Sequence, residues 1–458
     1  MRALLTAALL LALAAPAVAA PRPVIRTGGP SAPGDPKVAV VAGGKAGKRF
    51  TVVNNASGRV VKRGRLKRAK GSAKPWRRAA TADLGVLEAG RSALVQRLLG
   101  LFAANADGDE PSRVFGPAHR NDATVKGGPY DGQRFDLTGG WRDAGDNLKI
   151  TQPAAFAVAE LQLAARLSPD DAPALHAASD VGLRWLLKAH PRPDLFIGIV
   201  GDVRDHDTGF RDPAKDDADT RQGVGIRYAY PTTSSNILGS AAAALALAAQ
   251  RSDGAQRDAY LTAAREWYAA GKRTNAITKL GDENVEDFYP DTIFTDDLAF
   301  AALELHHATG DPVLLTEAAD FFRRGSDDDQ LYAGAVPGTV GPLVAAELCG
   351  GLGAPKLDDS GCAGLRKVVS AARERAASTP FATPAIITFG SLQDNGGSGA
   401  VAAAAKHPHH PAFLKGSPAR LLDGAVVNGP ADPRSLRASE LTLARGPLRR
   451  VNSKAVVY

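Results

Sequence analysis

From residue 96 onward, apolar residues return every three or four positions in long Ala/Leu-rich stretches. That spacing paints one apolar stripe along a 3.6-residue helix. "AAFAVAELQLAARL", "APALHAASDVGLRWLLKAH", "SSNILGSAAAALALAAQ", "AQRDAYLTAAREWYAAG", "TDDLAFAALELHHATG", "PVLLTEAADFFRR" and "AGLRKVVSAARERAA" each read as a helix. Asp170 and Asp311 stand at N-cap positions, and Gly310 at a stop. Gly- and Asp-rich loops separate the helices, with no strands between them. Sequential helix pairs of this kind form either a bundle or a closed α/α toroid. No short repeat marks a common solenoid.

Before residue 96 the pattern changes. "KVAVVAG", "RFTVVNN", "RVVKRGRL" and "SALVQRLL" are short β-type runs divided by Gly, Asn and Ser, which predicts a small β-sandwich over residues 22–95. The N-terminus has Arg2, an apolar run from Leu4 to Ala15 and small residues before Pro21, the build of a cleavable signal peptide over residues 1–20. The run is too short to span a bilayer after processing, and no second one follows. The sequence therefore predicts a secreted or periplasmic chain without a membrane span.

At 458 residues the chain suits two domains, and 44% hydrophobic with 23% charged residues is globular composition. The net charge of +8 is concentrated: no Asp or Glu occurs from Lys37 to Ala82, where Lys and Arg recur. A solvated basic β-surface accounts for this; long-range attraction to an anionic envelope polymer is the other reading. An exported chain makes nucleic acid an unsuitable partner. Cys349 and Cys362 flank a loop-like segment and suit a disulfide in an oxidising compartment.

Candidate chemistry gathers in "GGWRDAGDNLKI". Asp143 and Asp146 form a close carboxylate doublet. Inverting glycoside hydrolysis needs one carboxyl to protonate the leaving oxygen and another to activate water. The doublet suits the second task. Gly139, Gly140 and Gly145 would let the backbone approach a ligand, and Trp141 would stack on a sugar ring. The spacing alone also fits metal binding, or capping of a helix starting near Thr151. Trp185 and Trp267 lie on helical patterns and read as core.

"DLTGGWRDAGDNLKI" closely resembles the segment of glycoside hydrolase family 9, the cellulase and endoglucanase family, that carries the base aspartates. "PAHRNDA", "WLLKAHPRPDLFIGIVGDVRDHDTGF", "FYPDTIFTDDLAFAALELHHATGD", "ITFGSLQDNGGSGAVAAA", "HPHHPAFLKG" and "LLDGAVVNGP" resemble further family segments in the family's order. The β-region resembles the immunoglobulin-like domain that often precedes the catalytic domain there. The resemblance implies a mainly α fold, an (α/α)6 toroid over residues 96–458, incomplete at its C-terminus and preceded by the immunoglobulin-like sandwich. It implies hydrolysis of β-1,4-glucan by inversion, in a monomer that needs no cofactor for catalysis. Asp146 matches the general base and Asp143 its partner in holding the water. His409 matches the paired-loop histidine that contacts sugar, and His206 and Tyr289 match cleft positions. The family can carry structural calcium, and "RDPAKDDADT" and "GSDDDQ" are acidic loops, although acidic loops are commonly just solvated.

The chain departs from that pattern in three places. The family's general acid is a Glu after an aromatic-Asp turn near the C-terminus; Tyr458 resembles that aromatic, and the acid is not seen. Pro411 stands where the family has Arg. The helix and loop between the late Asn and the paired histidines are missing. Glu440 matches no acid motif and reads as a surface residue. Glu283 and Glu286 lie on a Gly/Asn-rich loop, with no argument for either. A hydrolase with its base intact, a non-catalytic glycan-binding protein on the same frame, and an unrelated exported toroid enzyme such as a lyase are the resulting alternatives.

Overall fold

The computed structural model describes residues 24–27, 36–42, 45–53, 58–69, 79–86, 91–143, 146–209, 211–280, 289, 291–325, 331, 335–377 and 456–457. The signal-peptide span, Gly145, Glu283, Glu286, His409, Pro411, Glu440 and Tyr458 lie outside them.

Two sheets occupy the N-terminal span. Strands β1 (Val24–Thr27), β2 (Pro36–Ala42), β5 (Lys67–Arg68) and β6 (Ala79–Val86) form one, in the order β1-β2-β6-β5 with antiparallel pairs. In the other, β3 (Arg49–Val53) pairs antiparallel with β4 (Val60–Arg65). Alternation does what a half-buried strand requires: Phe50 and Val52 are buried, while Arg49 lies opposite Arg65 with both exposed. Gly64 faces Phe50, and a Cβ there would come 2.6 Å from the ring.

"SALVQRLL", expected as a strand, belongs instead to helix α1 (Arg91–Asn105). Val95 and Phe102 are buried in the helical core, with Leu98 and Leu99 packed against it. These positions are three or four apart, so they share one helical face. The helical body therefore starts at about residue 91, not at 96.

Helices α2 (Thr151–Leu167), α5 (Ser235–Gln250), α7 (Thr295–Thr309) and α9 (Gly341–Leu348) pack side by side in that order. They are buried nearly all round: α2 from Thr151 to Ala165, α5 from Ser235 to Ala249, α9 throughout. Their Ala-rich sequences fit this, since a helix apolar on every side must lie inside. Helices α3 (Ala172–Lys188), α6 (Gly254–Thr274), α8 (Pro312–Arg324) and α10 (Asp359–Ala377) each return antiparallel against α2, α5, α7 and α9 respectively, and α3, α6 and α8 bury one face only. This is the two-layer wall of an α/α toroid. Trp185 and Trp267 are fully buried in it, as their helical patterns indicated.

The caps follow the sequence in part. Asp311 accepts from the Val313 N–H at 2.9 Å, and Gly310 ends α7 at φ 74°. The N-cap of α3 is Asp171, not Asp170, and its carboxylate takes the Ser168 hydroxyl (2.8 Å) instead of a helix N–H. Strands also occur among the helices, contrary to expectation. β7 (Thr124–Val125), β10 (Tyr228–Pro231), β9 (Ile197–Val200) and β8 (Lys149–Ile150) form a small sheet in that spatial order. β8 runs directly into α2 and β10 leads to α5, so the sheet sits at the N-terminal ends of the inner helices.

At the other end of those helices Arg166 donates to Glu347 (2.8 Å), Gln250 (3.1 Å) and Glu304 (3.4 Å). Gln250 also donates to Glu304 at 2.7 Å. One polar knot thus joins α2, α5, α7 and α9. Burial, then the charge of Glu347, pushes Glu304 well up, so Glu304 keeps its proton while Glu347 carries the charge. Cys349 and Cys362 form a disulfide between the end of α9 and α10.

Candidate active site

The doublet precedes β8 and α2. Gly139 and Gly140 adopt φ of 84° and 75°, and a Cβ on Gly140 would lie 2.6 Å from the Trp185 ring. The freedom of Gly140 serves close packing on α3, and a Cβ on Gly139 would lie 3.1 Å from the Glu110 carboxylate. Beyond this turn Trp141 drops into the core, only 7% exposed, with its ring 5.1 Å from that of Phe102. The expected sugar-stacking role for Trp141 is therefore corrected: its ring is packed against Phe102 and Gly182 and is too little exposed to serve as a stacking platform.

After Trp141 the chain turns outward. The Asp143 N–H donates to Leu148 O at 2.6 Å, closing a short loop. The Tyr289 hydroxyl reaches both Asp143 oxygens, at 2.8 and 2.9 Å. Asp146 sits across the loop; His206, in the short helix α4 (Val203–Thr208), brings Nε2 to 3.9 Å from its Oδ2. Asp146 Oδ1 is buried and accepts no hydrogen bond among the described residues. Asp143, Asp146, His206 and Tyr289 thus come together from three separate stretches of chain.

The environments of the two aspartates differ. Burial, then the charge of Asp146, pushes Asp143 up to about 8, with the Tyr289 hydroxyl opposing. Burial raises Asp146 too, but His206 and the Leu148 N–H pull it back. Tyr289 is pushed well above its ordinary value by burial and by Asp143, so it stays a donor. Two carboxyls this close share protons as a pair. The pair keeps its last proton on Asp143, and Asp146 ionises first. An ionised Asp146, whose side chain keeps 16% of its surface exposed, can take a proton from water while neutral Asp143 holds position.

The other readings of the doublet do not fit. The N-cap of α2 is Ile150, with no side-chain cap, so neither aspartate caps that helix. No group of three or more ligating side chains able to hold a metal occurs among the described residues. The acidic loop suggested for calcium has its carboxylates taken: Asp216 by Arg211 and His119, Asp217 by Arg120, Asp219 by Arg221. Those cations do not fit a calcium site. Most of "GSDDDQ" lies outside the described residues.

Below the doublet is a buried ionic layer that single-residue reading missed. His119 lies between Asp107 (2.8 Å) and Asp216 (3.0 Å). Lys149, fully buried, pairs with Asp122 at 2.6 Å and donates to Leu137 O at 2.8 Å. Arg227 donates to Asp122 at 2.9 Å and also bonds Asp205. "PAHRNDA" and "VGDVRDHD" pointed to these segments, but nothing in either string shows which residue meets which.

The layered α/α frame with an acidic doublet at the N-terminal ends of its inner helices has the architecture of an α/α toroid. The model of Glycosyl hydrolase family 9 matches residues 92–339, more than half of the chain, and the chain belongs to that family. It is 33% identical over 209 residues to Endoglucanase 15 of Arabidopsis thaliana, covering 43% of this chain and 41% of that protein. It is 31% identical over 215 residues to Endoglucanase A of Bacillus pumilus, covering 43% and 31%. The chain thus spans less than half the length of these curated relatives. A metagenome-derived glycoside hydrolase family 9 endoglucanase superposes with a TM-score of 0.64 at 22% identity, over 87% of this chain and 82% of that one. At that identity the likeness speaks for the fold, the (α/α)6 toroid.

Proposed function

We propose that the protein is an exported, monomeric glycoside hydrolase of endoglucanase type that cleaves β-1,4-glucan-like polysaccharide with inversion. Asp146 is the general base, and Asp143, oriented by Tyr289, steadies the water. His206 borders the site, and His409 contacts the sugar. The N-terminal β-region serves as an immunoglobulin-like module, and catalysis needs no cofactor. The observation that carries this reading is the asymmetry of the doublet: an Asp146 that ionises first and keeps part of its side chain exposed beside His206, next to an Asp143 that holds its proton. The proton for the leaving oxygen comes from a group outside the described residues, or a good leaving group departs as its anion without one.

Purified mature chain is assayed on a soluble β-1,4-glucan and on an aryl glycoside with a good leaving group, beside Asp146→Asn. General-acid help is worth roughly a hundred- to ten-thousand-fold. Turnover of both substrates that vanishes in the variant supports base and donor together. Turnover of the aryl substrate alone supports the base without the donor. Glucan binding with no turnover of either would refute the hydrolase and establish a glycan-binding protein on this frame.

A further inference from the structure

Asp143 and Asp146 lie between two anchored residues. On one side, the Arg142 N–H donates to Asn105 O at 2.9 Å and its guanidinium donates to Ala104 O at 2.6 Å. On the other is Asn147, with φ 63° and no solvent exposure. Its carbonyl accepts from Arg227 at 2.8 Å. Its side chain joins both sides: Nδ2 donates to Asp216 Oδ2 at 3.1 Å, and Oδ1 accepts from Arg142 at 3.3 Å.

The groups that grip Asn147 are themselves fixed. Asp216 is held by Arg211 at 2.7 Å and by His119 at 3.0 Å. Both His119 ring nitrogens face carboxylates, so the ring is doubly protonated and cannot turn without losing a partner. A side chain in the left-handed region costs backbone energy, and its persistence shows that the surroundings over-determine it. In any ordinary loop a glycine would serve there at less cost. What asparagine adds is an amide that spans from Arg142 to Asp216.

We propose that Asn147 is a positioning residue whose side-chain amide, bridging Arg142 and Asp216, sets the approach of Asp143 to Asp146. The proposal deepens the reading of the doublet as base machinery and rests on it. Asn147 acts through the two aspartates. Burial keeps the proton on Asp143 with the charge of Asp146 adding to it; that second contribution depends on the spacing, and so does the aim of Asp146.

The test uses the full chain and Asn147→Gly, which tolerates the same φ and removes only the amide. Asp216→Asn removes the charge at the far end of the bridge. The first readout is the carboxyl carbon NMR titration of Asp143, which needs no turnover. The second is kcat and KM on the glucan and the aryl glycoside, with circular dichroism as the control for folding. The expected result is an Asp143 midpoint that falls toward the ordinary carboxylate range in both variants. Where the wild type turns over, kcat falls by about ten- to a hundred-fold with KM within about twofold, because misplacing a reacting group by an ångström has that scale of cost. An unmoved midpoint in a folded variant overturns the proposal, whatever its stability. So does a raised KM with unchanged kcat. If the wild type turns over neither substrate, the hydrolase reading fails and the titration alone decides the positioning. If Asn147→Gly does not fold, Asp216→Asn decides by the same readouts.

Discussion

Asp143→Asn should make the protein more stable at neutral pH while it loses function. In the folded protein Asp143 titrates at about 8, against 3.8 for the ordinary side chain. A carboxyl whose folded pKa is raised costs nothing below pH 4. From there up to about pH 8 the unfolded chain releases the proton and the folded one keeps it, so stability falls as pH rises. At 1.36 kcal/mol per pH unit, the roughly 3 units between 3.8 and pH 7 amount to about 4 kcal/mol. Asp143 still meets some solvent, so about half of this, roughly 2 kcal/mol, is the expected figure. The amide does not ionise in either state and keeps an oxygen for the Tyr289 hydroxyl. For a domain of this size that corresponds to a rise in Tm of about 3 °C at pH 7. Thermal unfolding of both proteins at pH 4, 5.5 and 7 tests this. The gap should be near zero at pH 4 and widen upward. A gap of constant size would refute the linkage, and a less stable variant at pH 7 would refute the account of Asp143 altogether.

Tyr289→Phe removes the only hydroxyl on Asp143 among the described residues; a hydrogen bond to an ionised group is worth about 1.5–3 kcal/mol, so the Asp143 midpoint should climb by about one to two pH units in the carboxyl titration. Gly140→Ala needs a left-handed backbone and puts a methyl group 2.6 Å from the Trp185 ring; a loss of about 2–4 kcal/mol should appear as a lower denaturation midpoint in urea.

Much of the helical frame was legible because its inner helices are apolar on every side and its outer ones on one. Neither pattern depends on distant residues. α1 was misread because "SALVQRLL" is short, and a short apolar run looks alike in both periods. The small sheet was missed because its strands have two to four residues, too few for alternation to register. At the site, Asp143 and Asp146 were visible because their relation is local. Trp141 misled for the same reason: adjacency in sequence says nothing of which way a ring turns, and this one turns toward Phe102. Asn147, Asp216 and Arg227 were passed over because their meaning lies in contacts between residues 69 and 80 positions apart.

The knot of Arg166, Gln250, Glu304 and Glu347 stands about 22 Å along α2 from its first residue, if 1.5 Å is counted per residue. The four inner helices are therefore fastened to one another at the end remote from the aspartates. Whatever is inserted, shortened or exchanged in the segments that join their opposite tips leaves that fastening untouched. Evolution can retailor the working rim for a new polymer without renegotiating the frame, as a toolmaker changes a bit without rebuilding the chuck.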